Sequence, residues 1–167
     1  MSVEIERKFL IRKPDLKLVA AQPDCAVWRI TQTYLKNLPG SATERRVRRI
    51  EEDGEITHVY TTKDKLGGIS REEIERTVPE EEYRRLLAEA ETRIEKTRYR
   101  FPYRGHLMEI DVYPFLYGGP GLENRAVLEV ELGAEDEEFE VPEFLEIERE
   151  LTGTREFSNK SMAKPVK

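Results

Sequence analysis

The chain has 167 residues, 37% of them charged and 38% hydrophobic, with a net charge of -6. That length accommodates one domain with an ordinary core and leaves little room for a second, so residues 1–167 are expected to form a single unit. The acidic balance excludes a general binder of nucleic acid or of acidic membrane surfaces, because both demand a positive face. A single cysteine, Cys25, excludes an intramolecular disulfide and argues against a Cys-based zinc site.

The amino terminus reads Met-Ser-Val-Glu-Ile-Glu-Arg-Lys, with acids where a secretion signal needs an apolar run. No stretch approaches membrane-spanning length, and a cytoplasmic location is expected. Period-two alternation, which sends successive side chains to opposite faces of a strand, then dominates. It marks eight strands, approximately Val3–Arg12, Val27–Leu35, Glu44–Glu51, Ile56–Lys63, Ser70–Val78, Arg93–Tyr103, His106–Tyr113 and Ala126–Leu132. Asp53-Gly54 and Arg104-Gly105 are hairpin signals, so the strands they join are expected to pair antiparallel. Helical patterns fall at Pro14–Ala21, at Glu80–Glu91 with Tyr83, Leu86, Leu87 and Ala90 on one face, and at Pro142–Thr152. The Gly- and Pro-rich stretch Leu116–Asn124 reads as a flexible connection.

The polar face of these strands is ionic. Glu4, Glu6 and Lys8 share one face of the first strand against Ile5, Phe9 and Ile11, and Glu129 and Glu131 oppose Leu128, Val130 and Leu132 in the eighth. Glu109 and Asp111 share a face of the seventh, Arg71, Glu73 and Glu75 of the fifth, and Lys96 and Arg98 of the sixth. For one strand alone, a wet outer face explains such a row. Two features favour an interior instead. Like charges cluster, as in Glu4/Glu6, Glu129/Glu131, Arg46/Arg48 and Lys96/Arg98, and neighbours of one sign on one face repel unless a counter-ion joins them. Eight strands also suffice to close a barrel. The expected fold is therefore α+β: a closed eight-stranded antiparallel β-barrel, or tunnel, with a charged interior and helices packed outside.

Carboxylates without His or Cys partners form an oxygen-rich site suited to Mg²⁺ or Mn²⁺, and Glu4, Glu6, Glu129 and Glu131 are the metal-ligand candidates. Lys8, Arg46, Arg48, Lys63, Lys96 and Arg98 are the phosphate-binding candidates, with Arg71 added as a catalytic one. Glu73, Glu75, Glu109 and Asp111 are secondary tunnel acids. Together these describe metal-assisted phosphoryl transfer on a compact polyanion. Arg45, Arg49, Arg76 and Arg100 are as readily read as surface residues, Trp28 and Tyr34 as packing under a helix, and His58 and His106 are poor candidates for a base.

Glu4-x-Glu6-x-Lys8 resembles the opening signature of the CYTH superfamily, the triphosphate tunnel metalloenzymes that include class IV adenylate cyclases and thiamine triphosphatases. The resemblance runs on through Gln32-x-Tyr34-Leu35, Arg46-x-Arg48, Thr61-x-Lys63, Arg71-x-Glu73-x-Glu75, Glu95-Lys96-Thr97-Arg98-Tyr99, Glu109-Ile110-Asp111 and Glu129-Val130-Glu131-Leu132. It implies an eight-stranded tunnel, a divalent metal held by carboxylates and a triphosphate-bearing small-molecule substrate. Within the superfamily the chain looks most like the short bacterial inorganic triphosphatases, which implies hydrolysis of tripolyphosphate to pyrophosphate and orthophosphate. A cyclase, a thiamine or nucleoside triphosphatase, and a non-catalytic polyphosphate-binding module are the alternatives. The tail Phe157–Ala163 is similar to the family's closing segment near one tunnel mouth. No nucleic-acid or membrane partner is expected, and a homodimer is left open.

Overall fold

The structure is a computed structural model that describes residues 2–67 and 70–167. Its strands are β1 (Ser2–Arg12), β2 (Ala26–Leu35), β3 (Glu44–Glu52), β4 (Glu55–Gly67), β5 (Ser70–Val78), β6 (Ala90–Tyr103), β7 (His106–Val112), β8 (Arg125–Glu131), β9 (Ile147–Glu150) and β10 (Lys164–Pro165). The helices are short: α1 (Leu16–Ala20), α2 (Glu80–Leu86), α3 (Phe115–Gly118) and α4 (Asn159–Met162).

The strands run in the order β6-β2-β3-β4-β5-β1-β8-β7, and β7 pairs back onto β6, so eight antiparallel strands close a barrel. Both hairpin signals operate as expected. Asp53 and Gly54 have φ of 50° and 83°, and Arg104 and Gly105 have 46° and 84°, the left-handed pair that a two-residue turn requires to match strand twist. No described helix is long and apolar enough to cross a membrane.

The apolar parity of the strands faces outward and is covered on two flanks, while Val3, Val27, Ile56 and Ile74 of that parity stay exposed. Phe9, Ile11, Phe101, Met108, Ile110, Leu128 and Val130 pack with Val19 of α1 and with Leu145 of the C-terminal segment. On the other flank Leu35, Val47 and Val78 pack under Tyr83 of α2. Burying one such side chain contributes about 1.5–3 kcal/mol, so these two layers, rather than the bore, supply most of the stabilisation.

Two helical expectations need correction. Pro142–Thr152 is not a helix: a turn around residues 143–144 leads into β9, which pairs with Phe9, Leu10 and Ile11 of β1. β5 pairs only with residues 2–5 of β1, so the second half of that edge would otherwise leave backbone groups without partners. The edge outweighs a weak local preference. Ion pairs Arg7–Glu150 and Arg125–Glu148 hold the added strand. The helix expected over Glu80–Glu91 stops at Leu86, passes through a 3-10 turn (Leu87–Glu89) and yields to β6 at Ala90, which pairs with Leu35. Ala90 is therefore a strand residue. The stretch Leu116–Asn124, expected to be a flexible connection, holds the end of α3 and a 3-10 turn (Gly119–Leu122) anchored by buried Leu122.

Candidate functional site: a charged chamber inside the barrel

Inward-facing positions of all eight barrel strands enclose a chamber of about 220 Å³. Its walls carry Lys8, Arg46, Arg48, Lys63, Arg71, Lys96 and Arg98 together with Glu4, Glu6, Glu73, Glu75, Glu109, Glu129 and Glu131. Every site candidate read from the sequence therefore lines one cavity except Asp111, which is fully buried behind Lys96 and Arg98.

Strand register makes the charge pattern. Across β1 and β8, Glu6 lies opposite Glu131 and Lys8 opposite Glu129, and β8 sets Glu129 against Glu109 of β7. Carboxylates from three strands thus crowd one sector. Burial first, then Glu129 and Glu4, push the Glu6 carboxyl well above its usual range, and burial likewise raises Glu4 and Glu131. Glu129 goes the other way: burial, its largest single influence, would raise it, but Arg98, Lys8 and Lys96 together outweigh that and lower it.

The basic sector spans β3, β4 and β6. Arg48 donates to Glu75 at 3.1 Å, and Lys63 lies 3.3 Å from Glu4 and 3.5 Å from Glu73. Asp111 accepts from Lys96 at 2.8 Å and from Arg98 at 2.8 Å and 2.9 Å. Burial, followed by Arg46 and Arg98, brings Arg48 down to about 10, and burial beside Arg98 brings Lys96 down to about 8. Asp111 is held far below the carboxylate range because Arg98 and Lys96 outweigh its burial. The Nε groups of Arg46 and Arg48 are buried and have no hydrogen-bond partner among the described residues. A buried donor without a partner costs about 1–3 kcal/mol, which an anion in the chamber would relieve.

The carboxylates also fit a hard divalent cation by chemistry. Glu4, Glu6, Glu129 and Glu131 offer only oxygen, and three of them are raised by burial first and by neighbouring carboxylates second, a penalty on their charged forms that a dication would offset. Among the described residues no three acidic, His or Cys side chains already stand at ligand spacing, so side-chain rotation would accompany binding.

Several residues of the chamber were not read from parity. Trp28 and Tyr34, expected under a helix, face inward with Gln32 and line the chamber. The apolar members of that face close the bore: Tyr34 packs with Leu10, Ile94, Val127, Leu122, Leu151 and Met162, and Trp28 with Ile30, Ile50 and Val59. An apolar residue on the inward parity is thus an end plug. Glu44 and Arg100 also line the chamber, and Arg100, whose even number it shares with Lys96 and Arg98, stacks 4.2 Å over Trp28. Arg45 and Arg76 face outward, paired with Glu89 and Glu82. His58 stacks on Tyr83 and His106 contacts Glu137, both away from the chamber. The tail brings Ser158, Asn159 and Lys160 into the lining.

A closed barrel whose bore concentrates buried bases and carboxylates defines a class of protein that encloses a small polyanion. The chain belongs to the CYTH family: the model of the CYTH domain matches residues 2–165. It is 31% identical over 166 residues to the inorganic triphosphatase of Acetivibrio thermocellus, an alignment covering 98% of this chain and 95% of that protein. Among solved structures, a protein from Pyrococcus horikoshii aligns with a TM-score of 0.58 at 19% identity, covering 80% of each chain. A candidate adenylate cyclase from Bacillus halodurans aligns at 0.54 and 17%, covering 81% of this chain and 84% of that one. These likenesses concern the fold.

Proposed function

We propose that the protein is a metal-dependent triphosphatase that hydrolyses inorganic tripolyphosphate to pyrophosphate and orthophosphate. The observation that carries the reading is the chamber itself: bases from β1, β3, β4, β5 and β6 surround a small enclosed volume, and Arg46 and Arg48 hold buried donors without partners among the described residues. The 31% identical relative named an inorganic triphosphatase supports the same activity.

In this reading Arg46, Arg48, Lys96 and Arg98 bind the non-bridging oxygens, while Lys8, Lys63 and Arg71 neutralise charge along the chain of phosphates. Glu4, Glu6, Glu129 and Glu131 would hold Mg²⁺ or Mn²⁺. The bound ion supplies Lewis-acid polarisation of a phosphoryl oxygen and lowers the pKa of water. One water is consumed: its oxygen bonds to the terminal phosphorus, the bridging oxygen leaves with pyrophosphate, and protons pass to solvent. The walls exclude bulk water and hold the phosphates in line.

Tripolyphosphate carries charge at both ends and engages bases along its whole length, whereas ATP replaces one end with ribose and adenine. Trp28 is the one tryptophan available to stack on a base, yet Arg100 covers it and its indole N–H is tied to Glu52 at 2.6 Å. The test is kcat/KM for tripolyphosphate, ATP, thiamine triphosphate and pyrophosphate with Mg²⁺ and with Mn²⁺. Tripolyphosphate is expected to lead, with pyrophosphate turned over poorly. Cyclic AMP from ATP would replace this reading with a cyclase, and tight binding without turnover would make the protein a binding module.

A further inference from the structure

Lys96 carries three N–H donors on an ammonium whose side chain is almost entirely removed from solvent. Two of the three directions are committed. One goes to Asp111 Oδ2 at 2.8 Å, on β7. Another goes to Asn159 Oδ1 at 3.3 Å, on the C-terminal segment. Tyr113 OH also donates to Asn159 Oδ1, at 2.5 Å, and the Tyr113 ring lies 5.9 Å from the ammonium. An ammonium can only donate, so the Asn159 atom facing it must be the carbonyl oxygen, and the amide flip is fixed by chemistry. Burial pushes the Tyr113 hydroxyl well above its usual value, which keeps its proton on and its bond to Asn159 a donated one. Asn159 itself lines the chamber, and the capping bond from Ser161 N–H to Ser158 Oγ fixes the turn that presents it.

The geometry points to Asn159 as a positioning residue for triphosphate binding: with Asp111 it fixes two N–H directions of Lys96, so that the third is aimed into the chamber. The inference rests on the proposed role of Lys96 as a phosphate ligand. It assigns the C-terminal segment a part in the site, because an ammonium held by Asp111 alone is free to turn its remaining protons away from the substrate.

A double-mutant cycle tests it, since residues acting as one unit are not additive. Tripolyphosphate binding is measured by calorimetry in chelator, which stops turnover, for the wild type, Asn159→Leu, Lys96→Ala and the double variant. Asn159→Leu keeps the branching, in a slightly larger side chain, and removes the acceptor. It is expected to weaken binding about fivefold to tenfold in the wild type and less than twofold in Lys96→Ala, the factor of one lost hydrogen bond. Asn159→Ala, with melting temperatures for all variants, guards against a fold defect from the larger side chain. Equal weakening in both backgrounds, or none in either, overturns the inference while leaving the phosphate-binding reading intact. Wild-type affinity in Lys96→Ala overturns that reading of Lys96 and the inference with it.

Discussion

Replacing Arg48 with Met should stabilise the empty protein and cripple it as an enzyme, two effects of opposite sign from one substitution. Burial and the neighbouring Arg46 and Arg98 bring the Arg48 guanidinium from its ordinary value down to about 10. A fall of that size means that holding the side chain charged at neutral pH costs about 3 kcal/mol relative to the unfolded chain. Met retains the apolar stem, so little packing is lost. The attraction of Glu75, whose side chain is 40% exposed, is already contained in that fall, so it is not subtracted again; only a small loss of packing is. A net stabilisation of about 2–3 kcal/mol corresponds to a rise in Tm of roughly 4–12 °C for a domain of this size. In the proposed triphosphate complex the same guanidinium would contribute a charge-assisted bond worth about 1.5–3 kcal/mol, so kcat/KM should fall by roughly tenfold to a hundredfold. Differential scanning calorimetry in chelator, paired with phosphate-release kinetics in Mg²⁺, reads both. A lowered Tm, or unchanged kcat/KM, would refute the claim that ligand-directed crowding of bases strains the chamber.

Glu4, Glu6 and Glu131 have carboxyls raised above 4.5, so the folded state keeps protons that the unfolded chain has released, and their stabilising contribution is lost as pH rises through the raised values. The Tm of the metal-free wild type should therefore fall from about pH 5 to pH 8 more steeply than that of Glu6→Gln, and Mg²⁺ should restore it; parallel profiles would contradict this. Glu129→Gln and Glu131→Gln should each lower kcat by about tenfold or more while the melting temperature holds, and saturating Mg²⁺ should recover part of the loss if metal affinity is what fell. Chelator should abolish turnover in the wild type, and full activity without metal would remove the carboxylates from the mechanism. Leu151→Ala opens a cavity in the apolar end plug, where Leu151 is fully buried, and should cost about 2–5 kcal/mol in urea unfolding; a smaller loss would mean that the tail does not seal the barrel.

The sequence by itself determined the ionic face and what it is made of. Alternation is a property of neighbours two apart, so Glu4/Glu6/Lys8, Lys96/Arg98 and Glu129/Glu131 declare their shared faces without any tertiary information. Like charge on one face then predicts a counter-ion, and the turn pairs Asp53-Gly54 and Arg104-Gly105 predict the hairpins, because both depend on local sterics and charge. What only the tertiary structure decided are matters of which distant segment meets which. Trp28, Ile30 and Tyr34 share the inward face with Gln32, but their apolar character carries no sign that a barrel end, rather than a helix, covers them. Residues 147–150 become β9 because β1 has an open edge there, a demand placed by a strand more than a hundred residues away. Asp111 alternates like its neighbour Glu109, yet it stands behind Lys96 and Arg98 instead of lining the chamber, since closure of β7 onto β6 sets it against Arg98. Asn159 carries no charge and lies on no predicted strand. Its place beside Lys96 follows from the docking of the tail across the barrel, a long-range contact that no local period encodes.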